Sequence, residues 1–206
     1  MNADSKKSPK RDGRMRGFTL LELVVVMAVV MTISGVALPS FLRTYQFYQV
    51  TDAATRMANL IKSTRYEAIR RNTTINYVIR QTAAAPVTTT AWTDSNRSGV
   101  LAPADQRIIF GASITLVAAG TVPNVAGLTA AVGMGALTPL SNTNDTVQFD
   151  QRGAAVKVPP AAGGALVSYV SNTAVPSAGY RAIILLPSGS MQLWKADVNG
   201  NWTFLH

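Results

Sequence analysis

The sequence predicts an α+β protein in which one long N-terminal helix precedes a mostly antiparallel β-sheet. Three observations support this prediction. Residues 18–38 form an apolar run, and residues 39–71 continue with apolar positions three and four apart, so that one helix is expected from about Thr19 to Arg71. From Ile75 onward the apolar period changes to two, which is typical of β-strands.

Composition favours a folded chain and excludes several kinds of site. Hydrophobic residues make up 48% of the 206 residues and charged residues 14%, which suits one domain with an appendage. The chain has no cysteine, so it has no disulfide, thiolate nucleophile or cysteine-bound metal. The net charge of +9 is uneven, because residues 1–16 alone contribute +4.

The apolar run has the length of a membrane span. Its 21 residues, 18–38, contain one charge, Glu22, and as a helix they would be about 31 Å long, roughly the thickness of the bilayer hydrocarbon. The basic residues before the run favour a cytoplasmic N-terminus and an external C-terminal domain. Neither a secretory signal nor a plain signal anchor explains Glu22, since an acid in a membrane helix costs about 2.5–3.5 kcal/mol at mid-depth.

The junction between the basic start and the apolar run explains this acid. The segment Arg16-Gly17-Phe18-Thr19-Leu20-Leu21-Glu22 resembles the start of type IV pilins and of the pseudopilins of type II secretion. The resemblance implies that a prepilin peptidase cuts after Gly17 and that Phe18 is then N-methylated. It also implies that Glu22 acts in filament assembly, where it could pair with the new amine of a neighbour, and that Pro39 bends the helix.

The same resemblance divides the chain into four parts. We expect a cleaved leader at residues 1–17 and a transmembrane and filament-core helix at 18–38. An amphipathic second half of the helix is expected at 39–72, and a periplasmic β-rich domain at 73–206. The protein would then cross the bacterial inner membrane once, in contact with its lipids, and lie in a pilus or pseudopilus when assembled.

Several short segments behind the helix are predicted to be strands. Residues 82–99 are interpreted as a loop or loose hairpin, and residues 111–144 as weak strands and turns. The predicted strands are Ile75–Ile79, Arg107–Phe110, Val147–Phe149, Leu166–Val170, Arg181–Leu186, Met191–Lys195 and Trp202–Leu205.

Three of the later segments resemble parts of the GspH/FimT-type minor pilins. They are the helix end Arg65–Asn72, the F-x-x-R-G element within Val147–Gly153, and the hairpin segment Arg181–Gly189. Residues 82–144 do not align with that pattern. We interpret Gly153 as a positive-φ turn residue and Arg152 as the partner of an acid such as Asp150 or Glu67.

No catalytic constellation is visible, so an enzyme is not expected, and neither a cofactor nor a metal is predicted. The single histidine, His206, is the last residue of the sequence, a poor place for an oriented base. Most of the scattered acids of the β-rich part stand near Asn, Ser or Gly, which favours turn and cap roles over a calcium site. The scattered acids are Asp94, Asp105, Asp145, Asp150 and Asp197.

The second half of the helix is basic, and Arg65, Arg70 and Arg71 are its candidate contact residues. They could form a solvated face or bind an acidic partner subunit or DNA. DNA-binding FimT-type pilins carry a G-R-x-R-like motif in the C-terminal hairpin. The matching segment 189–192 reads Gly-Ser-Met-Gln and lacks both arginines, which weighs against DNA because phosphate binding needs clustered cations.

The favoured hypothesis is a minor pilin, a structural subunit that helps initiate or cap a type IV pilus at the inner membrane. One alternative is the H-type minor pseudopilin of a type II secretion system, and a second is a DNA-binding minor pilin of natural transformation. The expected partners are the prepilin peptidase, other major and minor pilins or pseudopilins, and inner-membrane lipid.

Overall fold

The structure is a computed structural model that describes residues 18–111, 113–160 and 164–205. The expected leader, with Gly17, lies outside the described residues, as does His206. The chain divides after Phe41 into two compact units, which are described separately below.

Helix α1 comprises Leu20–Arg71, 52 residues, in agreement with the predicted helix. It ends at Arg71, because the φ of 49° at Asn72 breaks the helical path. The Thr73 amide donates to the carbonyl oxygen of Ala68 at 3.1 Å. Pro39 lies inside the helix, and the bend expected there stays a prediction.

The described residues after α1 form eleven strands and a short second helix, besides two single 3-10 turns at Ala119–Thr121 and Pro176–Ala178. In chain order they are β1 Ile75–Gln81, β2 Thr89–Asp94, β3 Arg107–Phe110, β4 Ile114–Val117, α2 Val125–Val132, β5 Leu137–Pro139, β6 Asn144–Phe149, β7 Ala155–Val158, β8 Ala165–Asn172, β9 Tyr180–Leu185, β10 Met191–Ala196 and β11 Trp202–Phe204. These strands form two sheets, with orders β3-β2-β1-β6-β7 and β11-β10-β9-β8-β4. The strand pairs are antiparallel except that β5 pairs with β8 in parallel. The predicted α+β class, with a long helix before mostly antiparallel strands, is confirmed.

The C-terminal half of α1 packs its apolar face into the core of the second unit, as predicted. Val50, Ala54, Met57 and Ile61 are 0–3% exposed and follow helical spacing. They share one apolar cluster with residues of both sheets, including Ile75, Phe149, Leu166, Val170 and Ile183.

The second sheet is covered on both faces, which explains the continuous burial of β8. Leu166 and Val170 belong to the cluster of α1. The alternate residues Val167 and Tyr169 belong to a second cluster with Leu128 of α2. A strand between two apolar layers has no solvent face, and its sequence therefore does not alternate with polar residues.

Two parts of the fold differ from the sequence prediction. The segment expected to be a loop or loose hairpin contains β2, an interior strand that pairs with β1 and β3, and its Trp92 is only 2% exposed. The segment expected to hold only weak strands and turns contains α2, where the Asn124 side chain accepts a hydrogen bond from the Gly127 amide. Tertiary packing decides β2, whereas α2 depends on this local cap together with its packing against the second sheet.

Candidate functional site

The N-terminal part of α1 presents an uncovered apolar surface. It contains an 18-residue stretch with mean hydropathy 2.4, long and apolar enough to cross a membrane, and none of that stretch is buried. Leu20 and Val36 are 81% and 78% exposed, and even Val26 is 51% exposed. An apolar surface that extends over these 18 residues needs lipid or an apolar partner to cover it.

A side-chain cap fixes the start of this helix. The Thr19 hydroxyl oxygen accepts a hydrogen bond from the Glu22 amide at 3.2 Å, and the Thr19 carbonyl oxygen accepts one from the Leu23 amide at 3.2 Å. Thr19 is thus the N-cap and Glu22 the third helical residue, the spacing of a capping box. Sequence analysis missed this role of Thr19, although the T-x-x-E spacing is a readable signal.

The cap places the single acid of the apolar stretch where its charge is best tolerated. A carboxylate in the first turn interacts favourably with the positive end of the helix dipole. Glu22 therefore has a local reason for its position, beside its predicted role in assembly. Phe18, next to the predicted cleavage point, is 79% exposed.

In the second unit, Arg65 joins two turns of the two sheets. Its Nε donates to the carbonyl oxygen of Gly153 at 3.0 Å, and its Nη2 donates to that of Ser188 at 3.1 Å. We call Arg65 and the turns 150–154 and 187–190 the two-turn clamp. The Arg65 guanidinium therefore binds groups of its own domain. A contact of Arg65 with a partner subunit or DNA stays a prediction.

Glycines allow the two turns of the clamp to approach each other. Gly153 and Gly189 both have a φ of 79°, which confirms the positive-φ turn predicted at Gly153. A Cβ on Gly189 would overlap the Gly153 carbonyl oxygen, and one on Gly153 would lie 2.7 Å from Arg65 Nε. The F-x-x-R-G element is therefore a packing feature between two turns.

The predicted pairing of the Arg152 side chain with Asp150 or Glu67 is wrong. The Asp150 carboxylate accepts from the backbone amides of Arg152 and Ala154 at 2.9 and 2.7 Å, which closes the turn. Glu67 is engaged by arginines of its own helix.

Arg70 and Arg71 share the carboxylate of Glu67. Arg70 binds both oxygens, with distances of 2.9 Å from Nε and 2.7 Å from Nη2, and Arg71 Nε also donates to Glu67. The Arg70 hydrogen bond, followed by that of Arg71, holds the pKa of Glu67 down at about 2. The i,i+4 spacing of Glu67 and Arg71 thus forms an ion pair, whereas a contact of Arg70 and Arg71 with a partner or DNA stays a prediction.

The acids of the β-rich part act in turns, as predicted. Asp94 is typical, since it accepts from the amides of Ser98 and Gly99 at 3.1 and 2.7 Å. Within the part of the chain that the structure describes, no three His, Cys, Asp or Glu residues cluster to hold a metal ion. The other acids that accept backbone amide bonds are Asp105, Asp145, Asp150 and Asp197.

Comparison with known proteins identifies the start of the chain. Residues 13–38 match the model of the prokaryotic N-terminal methylation motif, which confirms the type IV pilin-like start that the sequence predicts. No curated protein matches the chain.

One solved structure shows a distant likeness to this chain. It is the crystal structure of the type IV minor pilin FimU of Pseudomonas aeruginosa strain PAO1, with 16% sequence identity and a TM-score of 0.42. The match covers 69% of this chain and 90% of that chain.

Proposed function

We propose that this protein is a minor pilin, a structural subunit that helps initiate or cap a type IV pilus at the bacterial inner membrane. The observation that supports the proposal is the exposed apolar start of α1, which lies within the match to the methylation motif at residues 13–38. A helix of that kind needs one apolar environment before assembly and another afterwards. Lipid supplies the first and the helices of neighbouring pilins supply the second.

Processing would prepare the helix for both environments. A prepilin peptidase would cut after Gly17, whose missing side chain suits a narrow protease site. Removal of residues 1–17 takes away the six basic residues of the leader, and Phe18 becomes the N-methylated end of an apolar helix. The helix then crosses the inner membrane once, with residues 39–72 and the β-rich domain at 73–206 on the periplasmic side.

Recovery of the protein from filaments tests the proposal. We expect the full chain in the membrane fraction and, in small amounts, in pili sheared from the cell surface, with fewer pili after deletion of the gene. A fragment that starts at Thr44 behind a cleavable secretory signal should be soluble and absent from pili. Unchanged piliation together with a loss of type II secretion would contradict the pilus assignment and favour the pseudopilin.

Weak DNA binding is the expected result for this subunit. Arg65 donates to two carbonyl oxygens, and Arg70 and Arg71 share Glu67, so these cations are already engaged. In a salt series with duplex DNA, we expect a dissociation constant weaker than about 1 μM near physiological salt. Tighter binding would need several free cations to contact the phosphates. Tight binding that weakens steeply with salt, and that the double change Arg70→Gln and Arg71→Gln abolishes, would contradict this expectation.

A further inference from the structure

A pocket of 520 Å³ opens beside the C-terminal half of α1, within the second unit. Its walls come from α1 on one side and from the last strands of the second sheet on the other. The residues used below are Phe47, Tyr48 and Thr51 on α1, Arg181 on β9, and Lys195 and Asp197 on and after β10.

Arg181 is a buried cation of this pocket, with only 5% of its surface exposed. Its Nε donates to the Thr51 hydroxyl oxygen at 3.0 Å, and its Nη1 donates to the carbonyl oxygens of Ala178 and Tyr180 at 3.3 and 3.0 Å. Among the described residues, no carboxylate forms an ion pair with the guanidinium. Charged residues are rarely buried without such a pair.

A second cation lies on the same face of the sheet. The register of β9 and β10 places Lys195 directly opposite Arg181, and directly opposed residues project to the same side. Like charges in that arrangement repel each other unless an anion lies between them. The pocket is therefore built to favour a negative group.

Asp197, the acid that lines the pocket, is hydrogen-bonded within the turn formed by residues 197–201. The Asp197 carboxylate accepts from the amides of Asn199 and Asn201 at 2.9 and 3.0 Å, and from the Asn201 side chain at 2.6 Å. These bonds lower the pKa of Asp197. They also hold its oxygens in the turn, and it forms no ion pair with Arg181 or Lys195 in the described part of the chain.

The rim of the pocket is aromatic and exposed. Phe47 and Tyr48 are 41% and 70% exposed, so apolar groups could pack on them. The chemistry that suits the whole pocket is a carboxylate carried on an apolar peptide segment, with the acid inside and the apolar residues on the rim.

We propose that this pocket binds an acidic side chain of a different pilin subunit, whose carboxylate contacts Arg181 and Lys195 and whose apolar neighbours pack on Phe47 and Tyr48. The proposal rests on the proposed function, since it places the partner in the same filament. It makes the pocket a specific contact between unlike subunits.

A second copy of this chain fits the pocket poorly, because its own acids are engaged. Outside the apolar helix, every acid of the described residues accepts a hydrogen bond or forms an ion pair within its own chain. These acids are Asp52, Glu67, Asp94, Asp105, Asp145, Asp150 and Asp197. A subunit with a free acid in an apolar segment is the complementary partner.

The first test uses a peptide probe on the full chain in lipid nanodiscs. The probe is acetyl-Phe-Asp-Phe-amide, and the matched control is acetyl-Phe-Asn-Phe-amide, which has the same shape without the charge. We expect the acidic peptide to bind at least about tenfold more tightly, as loss of one charge-assisted hydrogen bond implies, and to shift the side-chain ¹⁵N signals of Arg181. Equal binding of both peptides, no binding, or binding without a shift at Arg181 would overturn the proposal.

Three variants test whether the peptide binds in this pocket, and two of them change exposed residues, so that the test does not depend on the buried Arg181 alone. Arg181→Gln should abolish the preference for the acidic peptide, and because it removes a buried side chain, its folding is checked first by tryptophan fluorescence. Lys195→Gln changes an exposed residue and should weaken the acidic peptide about threefold or more. Lys62→Gln removes an exposed cation outside the pocket and should leave binding unchanged. Equal effects of Lys195→Gln and Lys62→Gln would overturn the assignment of the site.

The second test asks whether the carboxylate belongs to a filament partner. Lys195→Glu should lower recovery from sheared pili about tenfold while membrane insertion stays normal, whereas Lys62→Glu should be incorporated like the wild type. If the wild type binds the acidic peptide but Lys195→Glu is incorporated normally, the carboxylate does not come from a partner subunit. That result would overturn the proposal and leave only a site for free carboxylates. Absence of the wild type from pili would overturn the proposed function itself. Binding of the peptide probe does not depend on pili, so that measurement separates a failure of the proposed function from a failure of the pocket.

Discussion

Replacing Glu22 with Ala is expected to lower recovery of the protein from sheared pili about tenfold or more, while processing and membrane insertion stay intact. In a plain anchor the change would be favourable, because a carboxylate in a membrane helix costs free energy, about 2.5–3.5 kcal/mol at mid-depth and less near the helix end, where Glu22 lies. In a filament, it would remove the partner of an N-terminal amine. Breaking one side of a buried ion pair costs about 3–5 kcal/mol, and the mutant helix should therefore dock poorly.

The cap at Thr19 suggests a sharper form of this experiment. Glu22→Gln keeps a capping-box residue at the third helical position but removes the charge, and Thr19→Ala removes the cap acceptor but keeps the charge. If the charge drives assembly, Glu22→Gln should resemble Glu22→Ala and Thr19→Ala should remain close to wild type. Processing, membrane fraction and pilus recovery are measured side by side, and normal incorporation of Glu22→Gln would contradict the assembly role.

Gly189→Ala is expected to destabilise the β-rich domain by about 3 kcal/mol. A φ of 79° costs an alanine about 1–2 kcal/mol. The added Cβ would also overlap the Gly153 carbonyl oxygen, which the Arg65 bond holds in place, and relief of such overpacking costs about 1–3 kcal/mol. Denaturant unfolding of the full chain in detergent, followed by tryptophan fluorescence, measures the change.

Two other glycines provide matched controls for Gly189. Gly133 has a φ of 71° with nothing within 4 Å of its added Cβ, so Gly133→Ala should lose only about 1–2 kcal/mol, the conformational cost alone. Gly153→Ala should fall between the two, because its added Cβ would meet side-chain atoms of Arg65 and Ile69, which can shift more easily than a backbone oxygen. Equal losses for Gly189→Ala and Gly133→Ala would show that the two-turn clamp contributes nothing beyond local conformation.

The helix was predictable because its signals are local. The apolar spacing and the polar stop at Asn72 gave both ends of α1 within a residue, and the alternation after Ile75 gave β1. The division into two sheets was not predictable, since it depends on which strand edges meet. Similarly, α2 is determined by an Asn124 cap and by packing against the second sheet, in a segment with few charged residues to mark its faces.

The candidate site divides in the same way. The motif around Gly17, Phe18 and Glu22 is contiguous in the chain, so the amino-acid order alone is enough to infer its chemistry. Arg65 could be singled out as basic, but its contact with Gly153 spans 88 positions and no local pattern encodes it. The pocket at Arg181 depends on the register of β9 with β10 and on Thr51 of α1, which only the folded domain brings together.

N-terminal mass spectrometry of protein purified from membranes tests the central claim most directly. The account predicts a mature chain that begins at Phe18 with one added methyl group on its amine, and a bulky residue in place of Gly17 should leave the leader attached. A protein that retains Met1, or one that begins after Ala37 at the end of the apolar run, would contradict the claim that this chain is a processed pilin subunit.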